Sequence, residues 1–221
     1  MGHIQEITIN EQYARINSSD PKQYTLIDFQ KGKVYLINNK EKRMIQMEII
    51  GTAAKIPQNM PQQHPWNRAV KTKLVRKGNG PRIAGYHTVK YQLKADGKVC
   101  SENYFSQQAG EVAHIKNFIQ AMSNMSNSRK IKGIPLPPCQ KAYDKFEAKS
   151  MDFGFPMKST LGQKSDKVRF QIIQIKTNVT VKPEIFTLPR GYKVMNEQEM
   201  IEEGQAKRRE WMEKSHQGRK Y

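Results

Sequence analysis

The alternation of apolar and polar positions is clearest between Ile83 and Ser106, where two strand-like runs flank Asp96-Gly97. Asp-Gly between alternating runs predicts a two-residue hairpin, because both central residues of a type I′ turn need positive φ. Such a turn sets the register: Ala95 opposite Lys98, Leu93 opposite Cys100, Tyr91 opposite Glu102 and Val89 opposite Tyr104. On that register Val89, Tyr91, Leu93, Cys100 and Tyr104 share an apolar face, while Lys90, Gln92, Lys94, Ser101 and Asn103 share a polar one. One dry and one wet face predict an antiparallel sheet covered on one side.

The same period runs through much of the chain. Ile4–Ile16, Tyr24–Asp28, Val34–Ile37 and Arg43–Met47 read as strands joined by turn residues such as Asn17-Ser18-Ser19-Asp20-Pro21 and Gln30-Lys31-Gly32. Val34–Ile37 is apolar at every position, which predicts burial on both faces. Lys55–Arg68, with three prolines, reads as a long loop. Val70–Arg76, Asp144–Ser150, Met157–Leu161 and Val168–Val181 read as further strands, with a change of phase at Ile172-Ile173 where a bulge would absorb the slip. The period changes to helical over Gly110–Ser126, where Val112, Ile115, Phe118, Ile119, Met122 and Met125 form one stripe. After Met195 the pattern is a charged helix, with Asn196 and Glu199 as a capping box and Glu203–Lys207 at i,i+4. The expected organisation is a domain over residues 1–195 and an exposed C-terminal helix over 196–221.

Charge adds a constraint. Lys and Arg number 38 against 20 Asp and Glu, a net charge of +18, and the mean hydropathy is −0.80. The excess lies in residues 1–195, because the tail is balanced. This suits an anionic partner, such as a lipid headgroup surface or an acidic polymer. There is no basic arm or aromatic-basic motif, so nucleic acid is not the expected partner. No apolar run approaches the ~20 residues a membrane helix needs, and no signal peptide precedes the first strand.

Motifs of catalysis are not found. The histidines His3, His64, His87, His114 and His216 are scattered, Lys77-Gly78-Asn79-Gly80-Pro81 lacks the Lys-Ser/Thr of a phosphate loop, and no metal or cofactor signature appears. The expectation is therefore a protein without enzymatic activity, metal or cofactor. Cys100 and Cys139 lack zinc spacing, and by composition they are equally a disulfide or two separate thiols. Glu102 is the odd residue, a carboxylate on the apolar face: either a strand-edge acid bonded to a tyrosine or water, or a polar anchor in a ligand cavity.

The strand Val34-Tyr35-Leu36-Ile37-Asn38, the element Ile83-Ala84-Gly85-Tyr86, the run Gly97–Glu102 and the closing Ile185-Phe186-Thr187-Leu188-Pro189-Arg190-Gly191-Tyr192 form a familiar series. It resembles an uncharacterised family of bacterial envelope proteins related to the LolA/LolB lipoprotein-carrier superfamily. The resemblance implies a curved, half-open antiparallel barrel, and the expected fold is one curved antiparallel sheet of about eight or more strands with the helix 110–126 on its concave face. It implies a periplasmic location, with the cytoplasm as alternative, and a Cys100–Cys139 disulfide suited to that oxidising compartment. It further implies an apolar or lipid-like ligand in the concavity. Val89, Tyr91, Leu93, Glu102, Tyr104, Phe118, Met122 and Met125 are the candidate lining residues.

Overall fold

A computed structural model describes residues 3–50, 68–112, 114–128, 136–147, 150–162 and 167–217. The chain is α+β, as expected, but its strands form two sheets and neither closes into a barrel among the described residues. The single curved sheet is thus corrected. Consecutive strands pair antiparallel within each sheet, except that β11 pairs in parallel with β5 and the helices intervene between β8 and β9; among the described residues no ladder joins the two sheets. The packing defines two compact units, one of Met1–Gly51 with Val181–Tyr221 and one of Thr52–Thr180. Of the expected loop over Lys55–Arg68, all but Arg68 lies outside the described residues, as do Ile131–Pro135 and most of the turn after Gly162.

The first unit runs through β1 (Glu6–Ile9), β2 (Tyr13–Asn17), β3 (Gln23–Asp28), β4 (Lys33–Asn38) and β5 (Arg43–Glu48), antiparallel in sequence order. The single expected strand Ile4–Ile16 is two, because the Asn10 side chain accepts from the amides of Gln12 (2.9 Å) and Tyr13 (2.7 Å) and turns the chain there. Two-sided burial of β4 is observed. Val34 belongs to the set of fully buried residues with Ala14 and Ile27, while Tyr35 and Ile37 pack on the other face with Tyr24, Leu26 and Phe186. A strand that the alternation did not announce, β11 (Lys193–Asn196), adds to β5 in parallel. The C-terminal helix α4 (Glu197–Gln217) starts on the expected capping box. Glu199 donates its amide to Asn196 Oδ1 (2.9 Å), and the Asn196 amide donates to the Glu199 carboxylate (2.7 Å). Glu203 pairs with Lys207 (2.6 Å) and with Arg43 of β5 (3.0 Å), and Trp211 is 70% exposed.

The second unit is a five-stranded antiparallel sheet in the order β10-β9-β8-β7-β6, built from β6 (Thr72–Asn79), β7 (Val89–Ala95), β8 (Lys98–Ser106), β9 (Phe155–Leu161) and β10 (Val168–Gln171). The Asp96-Gly97 turn has the expected geometry, φ +47° and +81°. The expected helix over 110–126 is two, α1 (Gln107–Gly110) and α2 (Ile115–Ser128), parted by His114 at φ +66°, a backbone state that cannot continue a right-handed helix. The expected strand Asp144–Ser150 is instead the end of helix α3 (Pro138–Glu147), followed by a 3-10 turn over Ser150–Phe153. Pro138 suits a first helical position, and Cys139, Ala142, Tyr143 and Phe146 recur at three and four. The last expected strand, Val168–Val181, pairs only as far as Gln171. Its slip lies between Val168 and Phe170 rather than at Ile172-Ile173. Beyond Gln171, Ile172 and Ile175 turn in to pack with Ile83, Tyr104 and Met157.

Candidate ligand-binding face

The hairpin β7–β8 carries the candidate residues, and its register differs from the simple count. Ala95 faces Lys98 and Lys94 faces Val99, but Leu93 faces Ser101, so Cys100 is an extra, bulged residue. The carbonyl of Cys100 is satisfied outside the ladder, by the Gly162 amide (2.9 Å) and the Tyr143 hydroxyl (3.2 Å). Its sulfur is bonded to Cys139 at the start of α3, with the Cα atoms 5.4 Å apart. A one-residue bulge exchanges the faces of everything beyond it. Tyr91 therefore faces Asn103, Val89 faces Phe105, and Glu102 faces Gln92.

The candidate residues are thereby divided between two faces. Val89, Tyr91 and Leu93 share the face of Phe105 and of helix α3. Glu102 and Tyr104 lie on the opposite one. Phe118 is buried on α2, with Met122 and Met125 half-buried on the same helix. The two cysteines meet as the resemblance implied.

The α3 face is mainly apolar and aromatic, with the hydrogen-bonded pair Asn103–Ser101 (2.8 Å) buried on it. Tyr91, Phe105, Phe146 and Phe153 form one cluster, with ring centroids 5.0 to 6.1 Å apart. At one end lies a recess of ≈ 250 Å³ with Leu74 and Leu93 from the sheet, Ala142, Lys145 and Phe146 from α3, and Phe153 beyond it; Thr72 and Lys73 complete the lining. The disulfide sits at this end, since Cys100, Leu93, Ala95 and Ala142 form one buried cluster. A second recess, of ≈ 340 Å³, has Val89 and Phe105 in its lining, with Asn79, His87, Thr88, Gln107 and Gln108 around them. Phe105 joins the second recess to the aromatic cluster, and Phe146 and Phe153 join that cluster to the first.

The opposite face is a charged site of another kind. Glu102, 5% exposed, accepts from Gln92 Nε2 (2.9 Å) and pairs with Lys90 Nζ (2.8 Å). Burial alone would raise the Glu102 pKa, but hydrogen bonds from Lys90 and Gln92 outweigh it and hold the carboxyl below the ordinary range. The bond to Glu102 in turn raises Lys90 above its usual value. Lys90 and Lys158 also stand over the Tyr104 ring, at 5.7 and 5.9 Å. Glu102 thus lies in a lysine-rich setting, with Lys90 and Gln92 as its partners.

Helix α3 supplies two walls of the first recess and was missed by reading Asp144–Ser150 as alternating. The signal that finds it is the Cys139, Ala142, Tyr143, Phe146 spacing directly after Pro137-Pro138. The bulge has no such local signal, because it depends on a covalent partner 39 residues away.

The described residues define an α+β protein of two antiparallel-rich sheets, one of them with a disulfide-tethered helix on its apolar face. The chain belongs to the family described as a domain of unknown function, DUF4412, whose model matches residues 4–192. That span takes in β1 to β10 and α1 to α3 and stops before β11. No curated protein matches the chain, and no solved structure does.

Proposed function

We propose that this protein is a non-enzymatic binding or carrier protein for an apolar or lipid-like ligand, taken up on the α3 face of the second unit. The observation that carries the reading is the solvent-open recess lined by Leu74, Leu93, Phe146 and Phe153 beside the disulfide-tethered helix α3. Such a recess gives a small apolar molecule a place to bury its surface. Sites for small apolar molecules are lined in this way, with volumes upward of about 300 Å³. The first recess alone suits a short apolar segment, and both recesses with the aromatic cluster between them suit a chain. The resemblance to the lipoprotein carriers supports the same ligand class. A periplasmic setting agrees with the disulfide, and no helix among the described residues is long and apolar enough to cross a membrane.

Nile red, a neutral apolar dye, tests the reading by fluorescence titration. The protein should bind it with an affinity that salt does not change, because apolar burial is not screened. Thr72→Trp, at a half-buried position of the recess lining, should weaken binding by about tenfold, equivalent to about 1.4 kcal/mol. An absence of dye binding, or binding that Thr72→Trp leaves intact, would contradict the assignment.

A further inference from the structure

The second recess differs from the first in the chemistry of its surroundings. Asn79, His87, Gln107 and Gln108 supply polar side chains next to an apolar floor of Val89 and Phe105. Arg82 contacts one of them, His87. Its guanidinium donates through Nη1 to the Gly85 carbonyl (3.0 Å) and through Nη2 to Nε2 of His87. These two contacts hold the guanidinium against its own loop, and no carboxylate pairs with Arg82 among the described residues.

The loop that presents Arg82 is firmly built. Ile83 and Tyr86 exchange two backbone hydrogen bonds of 3.0 Å around Ala84-Gly85, both at positive φ (+48° and +86°). Thr88 donates its hydroxyl to the Pro81 carbonyl (2.6 Å), and the Gly80 amide donates to the Thr88 carbonyl (2.8 Å). A Cβ at Gly80 would lie 2.5 Å from the Thr88 hydroxyl and 2.8 Å from the Tyr104 ring, so only glycine allows this closeness. Ala84 occupies a conformation that costs an alanine roughly 1 kcal/mol or more. A strained turn that orients an unpaired arginine beside a recess has the form of a head-group site.

We infer that the second recess binds the oxyanion head of a single-chain amphiphile, a carboxylate or a phosphate, with Arg82 as its charge partner. The inference rests on the apolar-ligand reading above and names the head of that ligand. The apolar chain lies along Phe105 and the aromatic residues that lead to the first recess. The guanidinium fork matches a carboxylate or phosphate in geometry, and its charge-assisted bonds are about twice as strong as neutral ones. The side-chain amides of Asn79, Gln107 and Gln108 are further donors. The field of the unit favours the same sign, because residues 52–180 hold 22 Lys and Arg against 7 Asp and Glu.

Calorimetric titration of the full chain with dodecanoate, dodecyl phosphate and dodecanol, each below its micelle concentration, tests the head assignment. At least one anionic chain should bind about tenfold more tightly than dodecanol. Arg82→Gln should abolish that preference and leave dodecanol binding unchanged, which also shows that the variant is folded. Lys98→Gln removes the same charge from the exposed β7–β8 hairpin and should keep the preference. Equal binding of the three chains, or an equal loss in both variants, overturns the head assignment and leaves the apolar reading standing. Failure of all three chains to bind overturns both.

Discussion

The two units are built from similar lengths of strand by opposite means. In the first, every ladder keeps its register from end to end, through β1 to β5 and on to the added β11. In the second, every ladder has a register shift, at Lys77, Cys100, Met157 and Arg169 in turn. Among the described residues, the first buries one acidic or amide side chain, Asp28, while the second buries Gln92, Glu102 and Asn103. Charge divides in the same way: net +3 for the first unit and +15 for the second. Both recesses belong to the second. Regular alternation sends successive side chains to opposite faces of a sheet. Bulges, a cross-link and buried polar pairs cost stability locally but re-aim side chains, and that is where a site can form.

This contrast can be broken from the side of the second unit first. Cys139→Ser should destabilise the protein by about 4 kcal/mol, the chain-entropy value for a loop of this length. Denaturant titration followed by hydrogen exchange should show the loss in β7, β8 and α3, with β1 to β5 protected as before. An equal loss of protection in β1 to β5 would mean that the units are not separately stabilised. Leu26→Ala, at a site 1% exposed in the first unit, should cost about 3 kcal/mol. It should leave Nile red binding intact at temperatures where the protein remains folded.

Glu102→Gln sharpens the electrostatic side. Removing the charge leaves Lys90 without its carboxylate, a loss of about 2 kcal/mol at neutral pH. The folded-state pKa of Glu102 is depressed. Its contribution is therefore complete above the unfolded value of about 4.3 and disappears as pH falls through the folded value. Stability curves of the two proteins should converge on acidification through that window; parallel curves would show that the carboxylate contributes nothing through its charge. The smallest effect is expected from truncation after Asn196. Helix α4 has its own cap and ion pairs and exposes Trp211, so its removal should lower Tm by only a few degrees, equivalent to about 1 kcal/mol or less. A larger drop would make the helix part of the core of its unit.

The same contrast explains what could be read in advance. The first unit was legible because its information is local: Asn17–Pro21 turns, Val34–Ile37 is buried on both sides, and Asn196 caps with Glu199. Two features escaped: the Asn10 turn that divides Ile4–Ile16 into two strands, and β11, since four residues in parallel pairing have no turn to announce them. In the second unit the Asp96-Gly97 turn was legible, but the register beyond it was not, because Cys100 is drawn out of the ladder by Cys139 and Gly162. That one residue placed Glu102 and Tyr104 on the wrong face of the expected cavity. Asp144–Ser150 alternates locally, yet Ala142, Tyr143 and Phe146 are apolar at helical spacing and their partners are on β7 and β8. Non-local partners decide where local patterns are ambiguous.

The central claim, that the second unit takes up an apolar ligand on its α3 face, is tested most directly by native mass spectrometry of freshly purified protein. The account predicts a bound small molecule of lipid-like mass, retained by the parent protein and reduced or lost in Thr72→Trp. Protein that carries no such molecule, and acquires none after incubation with a total lipid extract, would contradict it.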